Sequence, residues 1–542
     1  MMLMLKIIEH VSSKIIREKS IISQDGVIVI LILFKLVMRF NKIPLAIFCI
    51  IISSCTCRNY EFASLYQDLP FEMPQVNRPK VPSREVFVTD FGAIGDGVVD
   101  NTEAFSKAIE TLVAAGGGRL VVPEGIWLTG PIELKSNIEL HLVRNSVLSF
   151  SENKSLYPLV DVNFGGSDMK RALSPIYAVG CHDIAITGEG VIDGNGQVWR
   201  PLHRYKINPY EWGEFLKKGG VVSEDGGTWY PDQSCKNGER VADPVHKAKE
   251  AYDPYKIHTA LRPVLIYFEN CENILLEGCT YQNSPCWTIH PVFCRNMIVK
   301  NIMVRSSYWA QNGDGIDIDA CENVIVSDCV FDVGDDALCI KSGKDADGWR
   351  HATPCRKVLI DNCTVYHGHG GFVIGSEMSG GVGDIKVSNC SFLGTDIGLR
   401  FKSTRGRGGV VENIWIDNIK MVDILAEAVL FNLYYKGMSA ATMQLKGGGH
   451  QVKDELFPVD ETTPIFRNFH ISNIICDGAK KAIYVNGLPE MPLENVEFKN
   501  CVISAQTGAD LHHCRNIDFV NVQIYNKEGN TFTTSDAEYE IL

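Results

Sequence analysis

Asn273-Ile274-Leu275-Leu276, Asn296-Met297-Ile298-Val299 and Asn323-Val324-Ile325-Val326 repeat one short unit, a polar corner residue followed by a run of apolar ones. The unit opens again at Lys357, Asp384 and Asn413, so successive starts lie 23, 27, 34, 27 and 29 residues apart. Further copies stand at Asp183 and Asn468. Periods of this length mark a solenoid, whereas propeller blades need about 40 residues or more. Each period holds two or three strands of about three to five residues, too short to stand alone, so stacked coils must bury the apolar side. The expected fold is all-β: a right-handed parallel β-helix in which each corner Asn bonds to its equivalent one coil away.

Upstream, a strand-like stretch from Val86 runs into Gly95-Asp96-Gly97. Asp100-Asn101-Thr102 then caps a short amphipathic helix with Ala104, Phe105, Ala108, Ile109 and Leu112 on one side, ended by Gly116-Gly117-Gly118. Two stretches break the period and read as large inserted loops, which on a solenoid shape the binding face: 197–262, with Trp199, Trp212 and Trp229, and 432–463, with Tyr434-Tyr435. Residues 84–542 are read as one domain.

The first 57 residues read as a leader. A basic start, Met38-Arg39-Phe40-Asn41-Lys42, an apolar stretch Ile43 to Ile52 and then Ser53-Ser54-Cys55 resemble a bacterial lipoprotein signal, with Cys55 lipidated and residues 1–37 an over-long start. Residues 58–83, with Pro70, Pro74, Pro79 and Pro82, read as an extended tether. The body is therefore expected outside the cytoplasm, periplasmic or anchored to the outer membrane, touching membrane only through the lipid. Eighteen cysteines accompany this. Their recurrence in one setting, Asn270-Cys271, Asn362-Cys363, Asn389-Cys390 and Asn500-Cys501, points to a column of small buried thiols rather than disulfides or a zinc site. A net charge of −13 argues against nucleic acid as partner. A monomer is expected.

Coil stacking also turns sequence spacing into proximity, because equivalent positions one coil apart sit about 4.8 Å apart. Asp335 follows Asp314 by 21 residues, His369 follows 34 later and Arg400 another 31, each near one coil or one coil plus a loop. Asp314, Asp335 and Asp336 are thus expected together, and their mutual repulsion should keep at least one protonated near neutrality. An acid and a base side by side suit glycoside hydrolysis, and placement on adjacent coils is expected to leave room for the water of an inverting reaction. Arg400 and Lys402 alternate around Phe401, so both face one way and suit a substrate carboxylate. The glycines flanking His369 are expected to let a ligand approach. Asp317 and Asp319 read as turn residues; neither a metal nor a cofactor is expected.

The ordered set Asn312-Gly313-Asp314, Gly334-Asp335-Asp336, Gly368-His369-Gly370 and Arg400-Phe401-Lys402 resembles the motifs of the polygalacturonases, family 28 of the glycoside hydrolases: Asn-Thr-Asp, Asp-Asp, Gly-His-Gly and Arg-Ile-Lys. Phe91 to Gly97 resembles the opening of pectin-degrading β-helices, so the likeness covers about residues 86–540. The resemblance implies hydrolysis of α-1,4-galacturonosyl bonds of pectin with inversion. It makes Asp335 the general acid, Asp314 and Asp336 the residues that position and deprotonate water, His369 a support for the acid, and Arg400 and Lys402 the carboxylate binders. Asn312, Lys341, Trp287 and His290 are further candidates for substrate contact, as is Glu377. Gly313 and Phe401 depart from the motifs. Rival readings are a hydrolase of rhamnogalacturonan or a pectic side chain, a calcium-dependent pectate lyase, and a non-catalytic carbohydrate-binding solenoid. The insert at 197–262 is read as closing one end of the cleft, which favours exo-action.

Overall fold

The computed structural model describes residues 61–239, 253–435 and 454–542. The leader with Cys55, the start of the tether and part of each insert lie outside the described residues. Two units are distinguished: residues 1–69, of which 61–69 are described and hold a single 3-10 turn, Ala63–Tyr66, and residues 70–542.

In the second unit the chain coils as a parallel β-helix whose strands form three ladders. The repeat legible in the sequence is one of them: Ile274 pairs with Met297, Met297 with Val324, Val324 with Val358 and Val358 with Ile385, rung upon rung. All five are fully buried in one continuous core. At the corner preceding each rung the backbone is left-handed, with φ 57° at Asn273, 56° at Asn296 and 59° at Asn323. Asn tolerates this conformation better than most residues. Its amide also bonds along the axis, Asn296 Nδ2 to Asn273 Oδ1 at 3.3 Å and Asn323 Nδ2 to Asn296 Oδ1 at 3.2 Å. A second Asn ladder, absent from the sequence reading, runs along another corner, with Asn418 donating to Asn389 at 2.7 Å and Asn521 to Asn500 at 2.9 Å.

Several cysteines fill corners too, whereas Cys339 lies within a strand and Cys235 in a helix of the insert. All fifteen described ones are buried and unpaired. Cys294, Cys321 and Cys329 turn their thiols onto carbonyls two residues back, at 3.4, 3.2 and 3.1 Å. Burial pushes the thiols of Cys279 and Cys355 up to about 12, so they stay protonated.

The outer face of the repeat ladder is buried as well: Ile298 and Ile325 have no exposed surface. Residues 70–83 cross it. Phe71 lies 5.6 Å from the ring of Trp415, Arg78 pairs with Glu277 at 2.7 Å, and the Lys80 amide donates to Asp183 at 2.7 Å. From Trp415 back to Asp183 is six rungs, about 29 Å at 4.8 Å each, and nine extended residues from Phe71 to Lys80 span about 30 Å. This part of the expected tether is therefore a strap laid along the solenoid axis.

Helix α1 (Thr102–Ala114) packs Phe105, Ala108 and Leu112 onto the first coils, and its opening amide is capped by Asp100, which accepts from the Thr102 amide at 2.9 Å. The described part of the 197–262 insert is more ordered than a loop. Its short antiparallel strands Leu202–His203, Val221–Val222 and Thr228–Tyr230 and its helix Pro209–Lys217 enclose Leu202, Trp212 and Trp229. A hairpin, Leu159–Phe164 with Ser167–Ala172, and a helix, Asp345–His351, also went unforeseen, because neither carries the period of the coils.

Candidate active site

Five successive rungs of one ladder build the site: β1 (Ile289–Val292), β2 (Ile316–Asp319), β3 (Asp336–Lys341), β4 (Gly370–Ile374) and β5 (Leu399–Lys402). Asp314 lies just before β2, Asp335 just before β3 and His369 just before β4, while Asp336 opens β3 and Arg400 and Lys402 lie on β5. The spacing in the sequence therefore becomes a cluster in space. One carboxylate oxygen from each of Asp314, Asp335 and Asp336 lies within 4.8 Å of the others.

The three carboxyls are not equivalent. Asp314 is buried, and burial first, then the charges of Asp335, Asp317 and Asp336, drive its carboxyl well above the usual range. Burial would raise Asp336 too, but Lys402 and Arg400 outweigh it and hold this carboxyl far below that range. Both Asp336 oxygens are taken: Arg400 donates to one at 2.8 Å and Lys402 to the other at 2.7 Å. Asp335 is the half-buried member. Its carbonyl accepts from the His369 amide at 2.9 Å, and the His369 imidazole bonds to Asp396, whose hydrogen bond raises the imidazole above its ordinary value. The three acids have the oxygens to hold a cation, yet Asp336 already shares its charge with two side-chain cations.

This geometry accompanies a sequence match: the family model for glycosyl hydrolases family 28 fits residues 250–524. The chain belongs to that family. Among solved structures it resembles the hyperthermoactive exopolygalacturonase of Thermotoga maritima, with 34% identity and a TM-score of 0.68 over 84% of this chain and 95% of that one. It is also 28% identical to a probable polygalacturonase of Vitis vinifera over 77% of this chain and 73% of the relative. To the exo-poly-alpha-D-galacturonosidase of Dickeya chrysanthemi it is 28% identical over 66% of this chain, spanning 58% of that relative.

The departures of this family 28 chain from the motifs have local causes. A Cβ on Gly313 would stand 2.9 Å from the Cβ of Ala310, so the loop 306–311 leaves no room for a side chain. Phe401 points inward and packs at a tilt against Phe431, ring centroids 4.5 Å apart, away from the charges. Gly368 is needed for a reason other than ligand approach: at φ 115° a Cβ would meet the Asp335 carbonyl at 2.9 Å.

The softer candidates separate. Asn312 is exposed, and its side chain accepts from Arg262 at 2.8 Å. Lys341 is buried behind the aspartates, 3.0 Å from Glu377 and 3.6 Å from Asp317, with its ammonium 4.7 Å over the Trp287 ring. Trp287 packs against Phe164 under the hairpin, and His290 is wholly buried with Asp319 at 3.4 Å. Both aromatic side chains, expected as candidates for substrate contact, are buried. Asp317 and Asp319, expected in a turn, instead lie buried within β2, where Asp319 accepts from the Gly343 amide of the next coil at 3.1 Å. Sequence reasoning missed Asp396 and Tyr435, whose ring lies 5.1 Å from the Lys402 ammonium. Asp396 sits between glycines just ahead of Arg400, and no spacing rule singles it out.

Proposed function

We propose that the protein hydrolyses α-1,4-galacturonosyl bonds of pectic polymers by a single displacement, with inversion and without a cofactor. The observation that carries this is the inequality of the three acids, an ionised Asp336 beside a protonated Asp314, with Asp335 the only one of the three that is partly exposed. Asp335 donates its proton to the leaving glycosidic oxygen. Asp336 accepts a proton from the water that attacks the anomeric carbon, and the neutral Asp314 orients that water by a hydrogen bond. The C–O bond to the leaving sugar breaks as the new one forms, and the proton gained by Asp336 replaces the one lost by Asp335 through solvent.

Arg400 and Lys402 give the reaction its dependence on an acidic sugar. A galacturonate carboxylate competes with Asp336 for these two cations. As they turn to the substrate, Asp336 loses their stabilisation and becomes a stronger base. The acid oxygens lie closer together than the about 6.5–9.5 Å typical of inverting hydrolases, so inversion rests on the family likeness rather than on the carboxyl separation. Proton NMR of the first product formed from an oligogalacturonate tests it: the β-anomer is expected, and the α-anomer refutes single displacement.

Exo-action is supported by the way the insert is locked beside the site. Arg262 donates to the carbonyl of Gln311 at 2.7 Å and to Asn312, binding the end of the insert to the segment that leads into Asp314. Release of monomer or dimer from the start of digestion is expected, and a ladder of long oligomers contradicts it. Export with Cys55 as lipid anchor is part of the same reading. Metabolic labelling with a radioactive fatty acid should mark the protein and fail to mark Cys55→Ala.

A further inference from the structure

On the far side of the 306–311 loop from the aspartates, between the coils and the helix Pro209–Lys217, lies a cavity of about 530 Å³. That volume falls within the range of about 300–1,000 Å³ for small-molecule sites. Its walls bring together Arg200, Lys218, Arg305, Phe215, Trp309 and Asp332. Asp332 already holds His367 at 3.0 Å. Lys218 and Arg305 are exposed and form no ion pair among the described residues; Lys218 only covers the Phe215 ring, at 4.6 Å. Arg200 is 1% exposed, bonded to Ser284 and Asn283, and its Nε has no hydrogen-bond partner. An unpartnered guanidinium N–H so deeply buried is costly unless a ligand or water meets it. In a protein of net charge −13, three cations face one lining carboxylate, Asp332, which stands beside Arg305 on the next rung and also holds His367, so the cavity keeps an excess of positive charge.

The rest of the lining gives the class of ligand. Trp309 is half-buried, braced edge-on by Phe215 at 5.4 Å and covered on one face by the Arg200 guanidinium at 5.4 Å, which fixes the indole as a rigid platform. Gln197, Gln282, Ser306 and Ser307 add neutral hydrogen-bonding groups around it. An aromatic plate, hydroxyl and amide partners, and an excess of cations together match a saccharide that carries carboxylates. The wall shared with the aspartates is thin. A Cβ on Gly334 would lie 2.6 Å from the Ser307 carbonyl and one on Gly313 would lie 2.9 Å from Ala310, so the loop's inner side is pressed onto the residues next to Asp335 and Asp314.

The geometry points to a second acidic-oligosaccharide site in this cavity, seated on Trp309 and held by Arg200, Lys218 and Arg305. The choice of uronate as the sugar rests on the function proposed above. Trigalacturonate is the probe, titrated into the full-length protein while tryptophan fluorescence is followed. A saturable change is expected that disappears in Trp309→Phe, persists in Asp335→Asn, and needs about ten-fold more ligand in the Lys218→Ala/Arg305→Ala double variant. That double variant should keep wild-type kcat on digalacturonate. Unchanged affinity in the double variant, or equal binding of neutral maltotriose, overturns the cavity site. Lack of turnover on every galacturonan with the Trp309 signal intact instead overturns the reaction and leaves the site standing.

Discussion

Asp314 and Asp336 are neighbours with opposite preferences, and their substitutions should behave oppositely. The folded-state value of Asp314 is raised, so its favourable contribution is complete below about pH 4 and is lost as pH rises through the raised value. Asp314→Asn removes that loss, and melting curves should show a higher Tm at pH 8 than the parent, with a smaller gain at pH 5. Asp336 is depressed, and its stabilisation is present above about pH 4 and is lost only as pH falls through the lowered value. Asp336→Asn strands Lys402 and Arg400 and should cost about 3–5 kcal/mol in chemical denaturation. Asp335→Asn, by contrast, should leave the fold unchanged by circular dichroism and lower kcat by about 10²–10⁴. His369 sits above its ordinary range because Asp396 holds it, so Asp396→Asn should move a basic limb of kcat/KM to lower pH. The aspartates, His369, Arg400 and Lys402 were legible because each lies a coil or so from the next. Asp396 was not, since a lone Asp in a turn looks the same whether or not it holds a histidine.

At the scale of elements, the ladder of Ile274, Met297 and Val324 could be read because corner Asn and inward apolar residue recur together. The hairpin at 159–172 and the helix at 345–351 could not, since each occurs once and takes its place from the coil beside it. The strap reads as a tether for a related reason: proline-rich extended chain has the same composition whether it hangs free or lies on a sheet. It crosses the face that carries Ile298 and Ile325, so its removal should cost about 1.5–3 kcal/mol for each such side chain it uncovers. A chain begun at residue 84 should therefore have a lowered Tm and bind a hydrophobic dye at temperatures where the longer chain does not.

For the whole molecule, the solenoid divides labour between a repetitive scaffold and a few places where the repeat is broken. The reaction centre and the proposed saccharide cavity both border the 306–311 loop, which interrupts the same coil. Positions along the core can vary in size within the limits of packing, whereas Gly313 and Gly334 have no space to vary at all. Gly334→Ala should accordingly disturb activity more than an Ile→Val change deep in the stack, as parallel kcat/KM measurements would show.

The buried thiols carry a consequence for how the molecule dies. Folded, the fifteen described cysteines are hidden from oxidants and need no partner. Unfolded in an oxidising compartment, all become accessible at once, and random cross-links form faster than a long solenoid can rewind. Heat inactivation in air should then be a one-way process whose half-life, rather than an equilibrium constant, describes durability. With a reductant present, the same protein should regain activity on cooling.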